Sequence, residues 1–216
     1  GCITSTGLAS KLLRAIVSAS GGVMIIALLL TMICCIVLGM GVPTTATYCI
    51  MAATCAPILM SPEIGVEMLA AHFFVFYFGI VADITPPVAL AAYAGTAIAK
   101  AGPMKTAFNA SRLAIAAFIV PYIIAMNPAM LFINTTIPEV VMITITSIIG
   151  IFGVAAGLSG FVFRNMKWWE RILCIVGGLT LLVPGSLTDL IGLVLVGAVC
   201  VLGYQAAKKE KEAVAA

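Results

Sequence analysis

Two short polar islands interrupt long apolar runs in this sequence, and they restrict how the chain can fold more than any other feature. The first is Gly-Met-Gly-Val-Pro-Thr-Thr-Ala-Thr at residues 39–47, and the second is Asp-Ile-Thr-Pro-Pro at residues 83–87. Proline lacks a backbone N–H and clashes with the preceding helical turn, so both islands are predicted to interrupt helices. Backbone groups freed in this way inside hydrocarbon need partners, which neighbouring protein, water or a bound ion or solute can supply.

The rest of the sequence is too apolar for a water-soluble protein. Of the 216 residues, 63% are hydrophobic and 9% are charged, and the mean hydropathy is +1.23, whereas soluble domains carry about 25% charged residues. The predicted fold class is an all-α integral membrane protein in a lipid bilayer. The net charge of +3 is small, and the basic residues lie in short clusters between apolar runs. These clusters indicate topology signals and not a nucleic-acid-binding surface.

The sequence also lacks the patterns that are typical of an enzyme or a metalloprotein. Its seven cysteines include no Cys-x-x-Cys pair, which predicts packing thiols and no disulfide or transition-metal site. The single histidine, His72, lies among aromatic residues and is predicted to pack at the membrane interface. An intramembrane enzyme would need paired carboxylates or a serine-histidine pair at membrane depth, and neither is apparent.

The apolar runs divide the chain into three parts. Residues 1–22 alternate polar and apolar side chains at helical spacing, which predicts an amphipathic helix at the interface. Residues 23–133 form a central unit around the two islands. Residues 134–216 are predicted to form further transmembrane helices and a basic tail. The chain begins at Gly1 without a methionine or a signal pattern, so we expect it to be the later part of a longer polypeptide.

The central unit is predicted to contain a hairpin, a broken helix and one more helix. The hairpin covers residues 23–60, and its two runs of about seventeen residues are at the lower limit for crossing a core of about 30 Å. It is therefore either two short spans or a re-entrant hairpin whose tip stops midway. The broken helix covers residues 67–99, with its break near the midplane. The last helix covers residues 112–133 and is expected to bend at Pro121 or Pro128.

The sequence further predicts a loop, three more helices and the side of the membrane on which the basic clusters lie. A polar loop is predicted at residues 100–112, and helices are predicted at residues 140–163, 172–183 and 190–204. Alternating crossings place the basic clusters at 100–112, 164–171 and 208–211 on one side, which the positive-inside rule identifies as cytoplasmic.

Several side chains near the islands are candidates for binding. Thr44 and Thr45 follow Pro43 at a helix N-terminus, where hydroxyl and free N–H groups favour an anion. Asp83 is the only acidic residue between Glu67 and Glu139, and charges within spans usually face a cavity or pathway. Alternatively, Asp83 caps the following helix or pairs with a basic residue outside this sequence. These groups are oxygen ligands, which suit hard cations and anions better than soft metals.

At these same residues the sequence resembles the large membrane subunit of tripartite ATP-independent periplasmic (TRAP) transporters. The similar motifs are Leu-Gly-Met-Gly-Val-Pro-Thr-Thr-Ala at 38–46, Ala-Pro-Ile-Leu at 56–59 and Ile-Thr-Pro-Pro-Val-Ala-Leu at 84–90. The segments at 71–79 and 118–129 are similar to the fused-permease branch that works with TAXI-type binding proteins.

The resemblance implies one half of an inverted-repeat ion-transporter fold, with a re-entrant hairpin and a discontinuous helix in each repeat. This chain would supply the second repeat, and the N-terminal half of the permease would supply the first. The implied activity is sodium-coupled import of small organic anions, such as carboxylates, delivered by a TAXI-type periplasmic binding protein. The implied location is the cytoplasmic (inner) membrane of a bacterium or archaeon, with a multi-pass chain and a cytoplasmic C-terminus. Sodium is the coupling ion, and no other cofactor is expected.

The resemblance also implies a site between the hairpin tip and the helix break. The expected cation-binding residues are Gly39, Gly41, Thr44, Thr45, Asp83, Thr85 and Pro86. The expected solute-binding residues are Pro43, Thr44, Thr47, Thr85 and Pro87. The commoner form of the tip has an aspartate where this chain has Val42, which favours backbone carbonyls as ligands.

Two other functions fit the same features. A sodium/carboxylate symporter that works without a binding protein would use the same broken helices. An ion channel would also use them, but it should show a ring-forming filter and a polar stripe along a pore, and neither pattern is apparent in the sequence.

Overall fold

The computed structural model describes residues 7–133, 135–183 and 185–215, and it is mostly helical. The chain divides into two compact units, the first ending at Leu131 and the second beginning at Phe132. The first unit contains both islands. Its helices are α1 (Leu8–Ser20), α2 (Met24–Gly39), α3 (Thr44–Thr54), α4 (Ala56–Leu59), α5 (Met68–Val81), α6 (Leu90–Ala99), α7 (Pro103–Leu113) and α8 (Ile115–Met126), with 3-10 turns at Ala82–Ile84 and Pro128–Leu131.

Helix α1 covers most of the segment predicted to be an amphipathic helix. It ends at Gly21, whose φ of +57° is a left-handed conformation that glycine adopts without a steric penalty. Ile16 is buried while Lys11 and Arg14 are exposed, so the helix has an apolar and a polar face. Residues 1–6 of the predicted helix lie outside the described residues, and the interfacial position of α1 stays a prediction.

The predicted hairpin consists of α2, a four-residue tip, and the consecutive helices α3 and α4. The first arm, Met24–Gly39, has 16 residues, and the returning arm, Thr44–Leu59, is also a short apolar helix. At 1.5 Å per residue, an arm of this length reaches about 24 Å, which is less than the hydrocarbon thickness of about 30 Å. The arms are therefore near the lower limit for crossing, and a re-entrant hairpin stays a prediction.

The helix that was predicted to be broken is interrupted at the second island. Helix α5 begins after Glu67, whose carboxylate accepts hydrogen bonds from the backbone N–H groups of Leu69 at 2.7 Å and Ala70 at 3.4 Å. It continues into the 3-10 turn Ala82–Ile84, and α6 starts only at Leu90. The Pro86–Pro87 peptide bond between them is cis.

Helix α5 lies at the centre of the first unit. Its Phe74 and Phe78 are fully buried, with ring centroids 4.8 Å apart. Tyr122 of α8 packs edge-on against both rings, at 5.3 Å and 5.8 Å. The Tyr122 hydroxyl lies 3.2 Å from the sulfur of Met32 in α2, so this aromatic cluster connects the broken helix, the hairpin and α8.

The prediction of a polar loop at residues 100–112 is wrong, because Pro103–Leu113 is a helix. Pro103 occupies the first turn of α7, where its fixed φ suits a helix and its missing N–H removes no intrahelical bond. The predicted helix at 112–133 also differs, since α8 runs over Ile115–Met126. Helices α7 and α8 meet at an angle of 42° at Ala114. Helix α8 itself ends just before Pro128, where Asn127 is not helical and a 3-10 turn follows, so the predicted interruption falls at Pro128 and not at Pro121. Pro121 is instead buried within α8, where packing against neighbouring helices accommodates it.

The described residues of the second unit form three helices, α9 (Ile137–Ser159), α10 (Trp168–Thr180) and α11 (Ser186–Ala215). Each has different ends from those predicted. Helix α9 ends before residue 163 because Gly160 adopts a left-handed φ of +73°. Helix α10 begins at Trp168 because the Glu170 carboxylate accepts the Lys167 N–H at 2.8 Å and forms an ion pair with Arg164. Helix α11 continues through the basic tail, where the prediction ended at residue 204.

Glycines allow the three helices of the second unit to pack very closely. A methyl group added to Gly178 of α10 would stand 2.6 Å from the Gly150 carbonyl oxygen of α9, and one added to Gly192 of α11 would stand 2.6 Å from the Gly177 oxygen of α10. Small residues permit this approach of helix backbones in membranes. The Arg171 side chain then donates to the carbonyl oxygens of Gly157 and Leu158 at the end of α9, at 2.9 Å and 3.0 Å.

In the described part of the chain, two helical segments are long and apolar enough to cross a membrane on their own. They are Ile137–Ser159 and Leu187–Ala206, and the bent pair formed by α7 and α8 is a third candidate. Together with the short apolar helices of the first unit, they support an all-α, multi-pass membrane protein.

Candidate functional site

The end of the first hairpin arm packs directly against the break in the broken helix. A methyl group added to Gly39, the last residue of α2, would stand 3.0 Å from the Cβ atom of Ala82 and 3.1 Å from the carbonyl oxygen of Gly79. Gly39 is buried, and Ala82 is the first residue of the 3-10 turn. The missing side chain of Gly39 therefore lets the two interruptions meet.

The returning arm of the hairpin reaches the same place. A methyl group added to Gly79 would stand 3.0 Å from Cγ2 of Thr47 and 3.2 Å from the sulfur of Met51, both on α3. Met51 is fully buried, and Thr47 is 1% exposed. Both arms of the hairpin thus contact the last turn of α5, and these contacts define a junction between the tip and the break.

The tip is closed by its own hydrogen bonds. Gly41 has a φ of +70°, which its lack of a side chain permits at the turn. The Thr47 hydroxyl donates to the Val42 carbonyl oxygen at 3.1 Å, and the Thr47 N–H donates to the Pro43 oxygen at 2.9 Å. Thr47 was predicted to bind solute, and the structure shows its hydroxyl hydrogen engaged within the tip.

The N-terminus of α3 is open at the tip. Pro43 is the N-cap residue and has no side-chain capping hydrogen bond, and Thr44 and Thr45 are exposed. The first N–H groups of a helix have no intrahelical acceptor, and the helix dipole gives this end a partial positive charge. These features make the segment suitable for contact with an anionic group.

Three protein hydroxyl groups engage the backbone carbonyls freed at the break. The Thr85 hydroxyl donates to the Val81 oxygen at 2.7 Å, and the Tyr93 hydroxyl of α6 donates to the Pro87 oxygen. The Ser111 hydroxyl of α7 donates to the Ile84 oxygen at 2.9 Å. Pro87 has no N–H to donate to the Ile84 oxygen, and the Thr85 N–H donates to the Ala82 oxygen and not to that of Val81. Side-chain hydroxyl groups take the place of these backbone donors.

The predicted site residues fall into two groups in this geometry. The buried residues Gly39 and Thr47 lie at the junction, and the half-buried residues Asp83, Thr85 and Pro86 follow Ala82 in the chain. The exposed residues are Gly41, Pro43, Thr44, Thr45 and Pro87. The structure therefore presents both islands on adjoining segments, while ligation by these individual residues stays a prediction.

Sequence reasoning missed three residues that shape this region: Gly79, Met51 and Ser111. Gly79 and Met51 lie within apolar runs and have no distinctive neighbours in the sequence. Their role arises from the contact between α5 and α3, which the sequence does not show. Ser111 was missed because α7 was predicted to be a loop. One signal was available, because Gly102-Pro103 is a typical helix start and places Ala107 and Ser111 one turn apart on the same face.

His72 belongs to a neighbouring contact between α3 and α5. Its Nδ1 atom lies 3.1 Å from the Tyr48 hydroxyl, and the Tyr48 ring packs edge-on against Phe76 at 5.7 Å. The histidine thus connects the returning hairpin arm to α5, in agreement with the predicted packing role. Its placement at the membrane interface stays a prediction.

A short-armed hairpin whose tip meets a broken helix is typical of secondary transporters, in which breaks at membrane depth form the binding site. Comparison of the sequence with known families agrees with this class. The model of the family described as tripartite ATP-independent periplasmic transporter, DctM component, matches residues 1–140. The chain belongs to this family, which confirms the resemblance to the large TRAP subunit.

A second family, described as a domain of unknown function (DUF3394), matches residues 140–196. This match lies within the second structural unit, whereas the DctM match covers the whole first unit. Neither the curated proteins nor the solved structures include a match to the chain.

Membership of the DctM family establishes several coarser properties. The protein is a permease of a TRAP-type secondary transporter and not an enzyme. It is a multi-pass protein of the inner membrane. The family also implies a periplasmic binding protein and a small membrane partner.

Proposed function

We propose that this chain is the permease part of a sodium-coupled secondary transporter that imports small organic anions, such as carboxylates, delivered by a periplasmic binding protein. The proposal rests on a site that combines oxygen ligands for a cation with a helix N-terminus for an anion. The observation that carries the proposal is the contact of Gly39 with Ala82. It brings two interrupted helices together at one point, and each interruption supplies oxygen atoms.

The oxygen ligands at this point favour sodium as the coupling ion. Carbonyl groups of the tip and the break, threonine hydroxyls and the Asp83 carboxylate are hard donors, which hard cations prefer to soft ligands. Unwound segments of transporter helices coordinate sodium through such carbonyls. The proposed cation-binding residues are Gly39, Gly41, Thr44, Thr45, Asp83, Thr85 and Pro86.

The solute is proposed to bind beside the cation at the start of α3. Thr44 and Thr45 are exposed there, and the N-terminal N–H groups of a helix favour a carboxylate. A bound cation would add a further positive charge next to the anion. The proposed solute-binding residues are Pro43, Thr44, Thr47, Thr85 and Pro87.

Coupling follows from a site that is shared between two movable segments. A cation that contacts both the tip and the break would hold them together and complete the solute site. By linkage, each ligand then raises the affinity for the other by the same factor. This explains how a sodium gradient could drive uptake without ATP.

The remaining parts of the proposal concern the assembly. The binding protein is proposed to be of the TAXI type, because residues 71–79 and 118–129 are similar to permeases of that branch. The N-terminal half of the permease would supply the first repeat. The basic clusters at residues 100–112, 164–171 and 208–211 would lie in the cytoplasm together with the C-terminus.

Uptake into proteoliposomes tests this function. The complete transporter is reconstituted, and uptake of a panel of labelled carboxylates is measured with and without a sodium gradient and with and without the purified binding protein. Uptake that requires both supports the proposal. Uptake that requires sodium alone indicates a symporter without a binding protein, and passive flux down the solute gradient indicates a channel.

A further inference from the structure

The Ser111 hydroxyl faces two backbone carbonyl groups but has one hydrogen to donate. Its oxygen lies 2.9 Å from the Ile84 oxygen at the break and 3.1 Å from the Ala107 oxygen in its own helix. A serine hydroxyl donates one hydrogen bond at a time. Two acceptors at nearly equal distances therefore compete for the same hydrogen.

The two acceptors differ in how much they need that hydrogen. The Ala107 oxygen lies inside α7, where the backbone N–H of residue 111 is its ordinary helical partner. The Ile84 oxygen ends the 3-10 turn, and a 3-10 bond would require an N–H from Pro87, which has none. Ser111 thus supplies a donor that the break itself lacks.

We propose that Ser111 is a positioning residue that holds the Ile84 carbonyl when the cation site is empty and releases it when sodium binds. This inference rests on the proposed sodium-coupled function. A hydrogen donated to the Ile84 oxygen and a cation on that oxygen repel each other. The hydroxyl avoids this repulsion by rotating to the Ala107 oxygen, so release of Ile84 leaves no donor without a partner.

This exchange gives α7 a defined role in the transport unit. Ile84 lies between Asp83 and Thr85, so a change in its carbonyl occurs within the predicted cation site. When Ser111 changes its acceptor, the hydrogen bond between the break and α7 is broken. Helix α7 meets α8 at the bend near Ala114. Cation binding would therefore loosen one connection between the break and α7 while it strengthens the contact between the break and the hairpin tip.

Sodium binding to the purified complete transporter tests the proposal. The affinity for radioactive sodium is measured with choline replacing sodium at constant ionic strength, so that no solute is needed. Ser111→Ala removes the competing hydrogen and should tighten sodium binding by about 2- to 10-fold, the equivalent of one ordinary hydrogen bond. Ser111→Thr keeps the hydroxyl and should keep the parental affinity.

A matched control and a second variant make the result specific. Thr106→Ala removes a hydroxyl from the same helix that donates to the Gly102 oxygen at 3.0 Å, and it should leave sodium affinity unchanged. Should Ser111→Ala fail to fold, Ser111→Cys carries the test, since a thiol is a weaker donor of similar size. It should tighten binding by a smaller factor.

The outcomes separate this inference from the proposed function. Saturable sodium binding by the parent with unchanged or weaker binding by the Ser111 variants overturns the role of Ser111 alone. A parent without saturable sodium binding overturns the proposed function and, with it, the inference. Tighter binding by Ser111→Ala with parental binding by Ser111→Thr supports both.

Discussion

Gly39 at the end of α2 and Ala82 at the start of the 3-10 turn are in direct contact, with 3.0 Å between the Ala82 Cβ and the place that a Gly39 methyl group would occupy. A Cβ atom at position 39 would stand closer to Ala82 than most Cβ atoms in proteins stand to their neighbours, so an alanine there requires Ala82 or the Gly79 carbonyl to shift by a few tenths of an ångström. The close contact between Gly39 and Ala82 is what brings the two islands together, so that they could form one site.

Gly39→Ala is expected to impair transport by separating the tip from the break. The added methyl group must displace Ala82 or the Gly79 carbonyl, and a shift of this kind in a positioned site can lower the uptake rate by about tenfold or more. Gly95→Ala is the control, because a methyl group there meets no atom within 4 Å. Parental uptake by Gly39→Ala would contradict the role of the contact.

Thr47→Val is expected to weaken the tip without changing the packing against α5. Valine keeps a methyl group near Gly79 but leaves the Val42 carbonyl without the hydroxyl donor, at a cost of about 1 kcal/mol. Hydrogen exchange should become faster at the bonded N–H groups of the tip, which are those of residue 47, donating to the Pro43 oxygen at 2.9 Å, and of Val42, donating to the Gly39 oxygen at 3.4 Å. Thr47→Ser restores the hydroxyl, and exchange as fast as in Thr47→Val would show that the hydrogen bond does not hold the tip.

Asp83→Asn is expected to weaken sodium binding. Amide oxygen replaces carboxylate oxygen at nearly constant volume, and loss of a charge-assisted contact corresponds to about a ten- to hundredfold higher sodium requirement for uptake. Glu139→Gln removes an acidic charge in the second unit and serves as the control. An unchanged sodium requirement in Asp83→Asn would remove Asp83 from the cation site.

Gly178→Ala is expected to destabilise the second unit. The added methyl group would stand 2.6 Å from the Gly150 oxygen and 2.8 Å from the Val154 nitrogen, and overpacking against backbone typically costs about 1–3 kcal/mol. The thermal midpoint of the purified protein should fall, while Gly197→Ala should not lower it because that position is open. Equal midpoints for the two variants would contradict close packing of α9 and α10.

The breaks in the helices could be predicted because their causes are local. Pro43, Pro86 and Pro87 remove donors wherever they occur, and the lengths of the flanking apolar runs follow directly from the sequence. The family could likewise be identified from motifs at those same residues. Local backbone chemistry was therefore sufficient to locate both islands.

The contacts between elements could not be predicted in the same way. Nothing in the sequence around Gly79 distinguishes it from a glycine that packs against lipid, and its contact with Thr47 exists only once α3 crosses α5. Helix α7 was mistaken for a loop because Lys105 and Arg112 were given more weight than the helix start at Pro103. Because α7 was not predicted, the hydrogen bond from the Ser111 hydroxyl to the Ile84 oxygen could not be predicted either.

The most direct test of a sodium site at the junction is the accessibility of residue 46 in the complete transporter, because Ala46 is exposed at the start of α3 and is not a proposed ligand. A cysteine introduced by Ala46→Cys is alkylated with a charged maleimide in sodium or choline, and the label on that residue is read by mass spectrometry. Sodium is predicted to slow alkylation of residue 46 and to leave an Ala101→Cys control unchanged. Equal rates at residue 46 in saturating sodium and in choline would contradict a cation site between the tip and the break.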